Sequence, residues 1–217
     1  MPTITWNGLP RSSAAALLLL AACAAPQQEA PAPLPGGQPA ALAQLPATFR
    51  NTPSCPGCLS LTLTLRPDGA YMVRERLGST EFYDFGRWRE SRAEGMLQLT
   101  GGRDAPRRYA LRPPGTLAAQ QGTQGGDLGR APEPETLRGP FRLVGLFDGK
   151  LFKECQTGLA WSLDETRAAQ ALGEEFRKRQ SPALLVSLDG RFEPRGRGEA
   201  LRVLRTASIH NERGCPG

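Results

Sequence analysis

Histidine is almost missing from this chain: His210 is the only one in 217 residues. With no second imidazole, and no G-x-S-x-G near it, the common hydrolase triads are excluded. A four-ligand zinc site cannot be assembled either. Methionine is scarce, at three residues, so no methionine cluster is offered to a soft metal. Aromatic residues make up 6% of the chain, and no Lys/Arg run is interleaved with them. That argues against a nucleic-acid surface, and no nucleic-acid partner is expected. The carboxylates Asp68, Glu75, Asp84 and Glu94 read as turn or solvent-facing residues with no pairing. The chain is expected not to be an enzyme.

What is present begins with a leader. Arg11 supplies a positive n-region, and Ala14–Ala22 is an uncharged Ala/Leu run. It is too short to span a bilayer but has the length of a signal-peptide core. It ends Leu20-Ala21-Ala22-Cys23, small residues before a cysteine. This resembles a bacterial lipobox, so Cys23 is expected to carry lipid and to anchor the chain. Ala24, rather than Asp, follows the cysteine and points to the outer membrane, periplasmic face. The net charge of +6 comes from scattered arginines and reads as a solvated surface.

Four further cysteines remain: Cys55, Cys58, Cys155 and Cys215. An even set in an exported chain reads as a disulfide framework. Three pairings are open, and pairing within each half is the simplest.

Residues 1–22 read as signal peptide and 23–43 as an Ala/Pro/Gln-rich tether without apolar period. Residues 44–117 read as strands. Leu59, Leu61, Leu63 and Leu65 alternate with Ser60, Thr62 and Thr64, and Arg66-Pro67-Asp68-Gly69 is a turn into the returning strand Ala70–Leu77. Short strands follow over Phe82–Arg89, Gly95–Thr100 and Arg107–Arg112, the pattern of a small antiparallel barrel. A Gly/Gln/Pro-rich linker is expected over 118–135. Residues 136–217 are mixed: a hairpin at Asp148-Gly149, a helix, then two strands. Ser162 with Glu165 reads as the capping box of that helix, which presents Ala169, Leu172 and Phe176 on one face. Strands, one helix and strands fit an OB-like barrel. The fold expectation is therefore mainly β, a lipocalin-like small barrel followed by an OB-like α+β barrel.

Several features in order resemble the N-terminal domain of the NlpE-type copper-resistance lipoproteins. They are Leu45-Pro46, Cys55-x-x-Cys58, the Leu-Thr-Leu-Thr-Leu strand, Pro67-Asp68-Gly69 with Tyr71, and Gly86-x-Trp88, then Leu97-x-Leu99, Tyr109 and Leu117. Leu137-x-Gly and Phe152-x-x-Cys155-x-x-Gly158 resemble the C-terminal module of such proteins. The resemblance implies an outer-membrane lipoprotein linked to copper tolerance and to activating an envelope-stress sensor kinase. One departure stands out. The family loop carries an acidic residue between its cysteines, whereas this chain reads Ser54-Cys55-Pro56-Gly57-Cys58.

Three readings of Cys55 and Cys58 follow. Two thiolates suit Cu(I), with Met72 as an approaching ligand, so copper is the candidate metal. A catalytic redox pair is disfavoured, because Cys58 leads into a strand and no helix N-terminus stabilises a thiolate. A structural disulfide closing the loop is the plainest reading, and so short a ring is expected to be labile. A Cys155–Cys215 bridge would close about sixty residues and contribute on the order of 4 kcal/mol. His210 reads as an exposed tail residue. The alternative to copper and stress sensing is a lipid-anchored ligand- or partner-binding module with structural disulfides only.

Overall fold

The computed structural model describes residues 42–217 apart from 103–105, 197, 213 and 217. Cys23, the leader and nearly all of the tether lie outside the described residues. No helix among the described residues is long and apolar enough to cross a membrane.

The first part is a closed antiparallel barrel in sequence order: β1 (Ala47–Arg50), β2 (Ser60–Leu65), β3 (Ala70–Leu77), β4 (Thr80–Ser91), β5 (Met96–Thr100), β6 (Arg107–Arg112), β7 (Thr116–Ala119) and β8 (Leu128–Arg130). β1 pairs with both β2 and β8, which closes the wall. The period of two sends alternate residues inward. Leu61, Leu63, Leu65, Tyr71, Val73, Leu97, Leu99, Tyr109 and Leu117 fill the interior and are 2% exposed or less.

The stretch expected as a linker is part of this body. It supplies the second half of β7 and all of β8, where Leu128 continues the inward pattern set by Leu117. Its end then crosses the outside of β1 and β2. Glu135 N donates to Thr48 Oγ1 at 2.8 Å, and Thr64 Oγ1 donates to Glu135 O at 2.9 Å. The Glu135 carboxylate takes Arg50 at 2.6 Å and Arg74 at 2.9 Å. This explains why Thr48, Thr62 and Thr64 are buried although they point away from the barrel core.

The second part is a five-stranded sheet. Its strands are β9 (Phe141–Phe147), β10 (Leu151–Glu154), β11 (Ala160–Ser162), β12 (Leu184–Arg195) and β13 (Gly198–Ile209), in the order β11-β10-β9-β12-β13. The helix α1 (Arg167–Arg179) lies between the third and fourth strands. This is the OB order, and a parallel bridge between Leu163 and Leu201 joins its ends.

The helix starts later than the capping-box reading expects. Thr166 is its N-cap, with Oγ1 accepting from Ala169 N at 3.2 Å and donating to Val203 O at 2.9 Å. Ser162 is taken up by β11, paired with Leu151, so it cannot cap. Leu172 and Phe176 face the core as the spacing indicates.

The two sheets share one core. Ala70, Met72 and Phe85 point out of the barrel wall and are buried against the second sheet. The Phe85 ring lies 6.0 Å from Phe141, 5.9 Å from Trp161 and 5.3 Å from Phe192. The described residues form one compact unit.

Candidate functional site

Cys55 and Cys58 sit in the β1–β2 loop and are joined by a disulfide, with Cα atoms 5.3 Å apart. Cys58 N donates to Cys55 O at 3.1 Å, closing a turn with Pro56 and Gly57 at its centre. Gly57 has φ +85°, the conformation that the third position of a type II turn requires and that glycine supplies without cost. Pro56 and Gly57 therefore make this turn tight.

The neck of the loop is held by Asn51. Its Nδ2 donates to Leu59 O at 2.8 Å and to Gly125 O at 3.0 Å, while its Oδ1 accepts from Leu61 N at 2.8 Å. One side chain thus ties both sides of the loop to the β7–β8 connection. Nothing in composition or motif singled out Asn51. Its place just past a four-residue strand, opposite the start of β2, is the only signal.

The loop stands at the barrel rim beside the β3–β4 turn. Cys55 is exposed and Cys58 half-buried. Together with Ser60, Arg76 and Gly78 they line a shallow cleft of about 240 Å³. Ser54 Oγ donates to Cys58 Sγ at 3.7 Å.

Met72 does not approach the pair. It pairs with Thr64, whereas the end of β3 nearest the loop pairs Arg76 with Ser60. Four residues of strand separate the two positions, roughly 13 Å at the usual rise. The Met72 side chain is 1% exposed and packs against the second sheet. Among the described residues no group of three or more His, Cys, Asp or Glu is placed to hold a metal. The residues therefore fit copper only as a two-sulfur site, and only after the bridge opens.

Two carboxylates expected on the surface are inside. Tyr71, Val73 and Glu75 follow the inward period of β3, so Glu75 is 8% exposed and pairs with Arg107, itself 5% exposed. Asp84 pairs with Val73 in register and is 3% exposed, with Tyr71 Oη donating to it at 3.4 Å. Burial pushes the Tyr109 hydroxyl pKa up, against the opposing pull of the neighbouring Arg107. Trp88 packs at the other end of the barrel, with Nε1 donating to Arg66 O at 2.9 Å.

In the second sheet Cys155 and Cys215 form a disulfide with Cα atoms 5.4 Å apart. Buried Glu154 organises the turn beside it, accepting from Gln156 N at 3.0 Å and Thr157 N at 2.7 Å. Phe152-x-x-Cys155-x-x-Gly158 is thus a core residue, a bridge and a turn glycine with φ +73°. His210 is half-buried rather than free in a tail. Its backbone N–H bonds Leu185 O at 2.8 Å, and its Nε2 lies 2.7 Å from Ser187 Oγ. On the outer face, hydrogen bonds from Arg142, then from Arg205, hold the Asp189 carboxyl below the usual carboxylate range.

No protein-family model matches the chain. No curated protein matches it. Among solved structures, it is similar to the crystal structure of the Cpx pathway activator NlpE from Escherichia coli. The identity is 18% and the TM-score 0.36, covering 80% of this chain and 100% of that chain. A likeness at that level carries no functional argument.

Proposed function

We propose that this chain is a lipid-anchored outer-membrane protein without catalytic activity, whose Cys55–Cys58 loop reports the thiol and copper status of the envelope. The observation that carries the reading is the position of the bridge. It is exposed at the rim, outside the hydrogen-bonded wall, while the barrel beneath it is filled. Opening the bridge would release two thiols without disturbing the core, and two thiolates are suited to Cu(I). The sequence resemblance supports the same direction, toward copper tolerance and contact with an envelope-stress sensor kinase. A small-ligand site inside the barrel is less well supported, since Leu61, Leu63, Leu65 and Tyr109 occupy that space.

The test is intact mass with thiol alkylation on the purified chain under mild reductant, before and after Cu(I). The reading expects Cys55 and Cys58 to alkylate while Cys155 and Cys215 stay bridged. It also expects copper to be retained, and lost in Cys55→Ser/Cys58→Ser. If the rim bridge resists reduction and no copper stays, the loop is a staple and the sensing role is wrong.

A further inference from the structure

The rim disulfide is asymmetric. Cys55 is exposed and Cys58 half-buried. The Ser54 hydroxyl donates to Cys58 Sγ, and no such donor reaches Cys55 Sγ among the described residues. Arg76 lines the same cleft, exposed, and no carboxylate lines it. Glu81 is Arg76's neighbour on β4, yet its carboxylate accepts the Tyr83 hydroxyl at 3.0 Å. Arg76 makes no ion pair among the described residues.

In thiol–disulfide exchange the attacked sulfur must be reachable, and the departing sulfur must bear the negative charge. A hydrogen-bond donor and a nearby cation favour departure of the sulfur they face. We propose that Cys55 is the sulfur attacked by an incoming thiol, and that Cys58 is the leaving sulfur, stabilised by Ser54 and Arg76. The reaction is a complete exchange. A thiolate RS⁻ forms an RS–Sγ bond to Cys55, the Cys55–Cys58 bond breaks, and its electron pair goes to Cys58 Sγ. A second RS⁻ attacks the sulfur of the bound R group, releasing RSSR and the Cys55 thiolate. Two thiols are oxidised, one bridge is reduced, and their two protons end on the cysteines. This deepens the sensing role proposed above and rests on it. The co-reactant is a low-molecular-weight or protein thiol, and the exposed Arg76 favours an anionic one.

Glutathione is the probe, applied to the full chain with both bridges intact, quenched in acid at early times and mapped by peptide mass. The expected adduct is on Cys55. Ser54→Ala and Arg76→Ala should each slow opening of the rim bridge by roughly three- to tenfold. Both positions are exposed, so the fold should be kept, and an unchanged Cys155–Cys215 reduction rate in the same samples checks that. An adduct on Cys58, an equal split, or unchanged rates in both variants overturns the assignment while leaving sensing intact. A bridge that glutathione never opens overturns both.

Discussion

At the scale of single residues, much of this molecule turns on polar and small groups placed inside apolar walls. Gly86, of the Gly-x-Trp stretch, has no room for a side chain: a Cβ there would run into Thr100 O and would lie 2.7 Å from the Tyr71 ring. Gly145 repeats the arrangement under Phe152, with a Cβ 2.6 Å from the ring. In each sheet an aromatic ring lies across a bare strand position. The Glu75–Arg107 pair is the sharpest case for energetics. Removing one buried partner leaves an uncompensated charge, whereas removing both does not. Arg107→Ala should cost about 3–5 kcal/mol, while Glu75→Leu with Arg107→Leu should cost far less. Urea denaturation of the two variants checks this; equal losses would mean the pair is not isolated from water.

At the scale of elements, the helix start is the clearest test. Thr166→Ala removes an N-cap acceptor and the bond to Val203 O, and should cost about 1–2 kcal/mol. Ser162→Ala should cost little, and denaturation midpoints separate the two. A larger loss at Ser162 would restore the capping box. The same element shows what was legible in the sequence. The face formed by Ala169, Leu172 and Phe176 was readable because a 3.6-residue period needs no partner to be recognised. Which hydroxyl caps was not, because Val203, thirty-seven residues on, seats Thr166. The barrel behaves alike. The long alternating runs Leu59–Leu65 and Ala70–Leu77 are visible, but β1, β7 and β8 have four, four and three residues. Strands that short carry little periodicity, and they become strands because closure supplies their partners. Of the candidate site, the cysteine pair and its tight Pro-Gly turn were legible. Asn51, Ser54 and Arg76 were not, since each matters only through a contact made in three dimensions.

At the scale of the whole molecule, the aromatic group around Phe85 joins what the sequence divides. Phe85→Ala should remove about 3–5 kcal/mol, and both sheets should still unfold in one transition. Following Trp161 fluorescence and barrel-specific hydrogen exchange together would show it; two separated transitions in the parent chain would refute a common core. The closing strand has one more consequence. β1 is bonded on one side to β2 and on the other to β8, and among the described residues it is the first strand reached from the N-terminal side. A tug arriving from that side runs along β1, across hydrogen bonds that lie perpendicular to it. Those bonds are loaded in shear, several at once, rather than opened one at a time like a zipper.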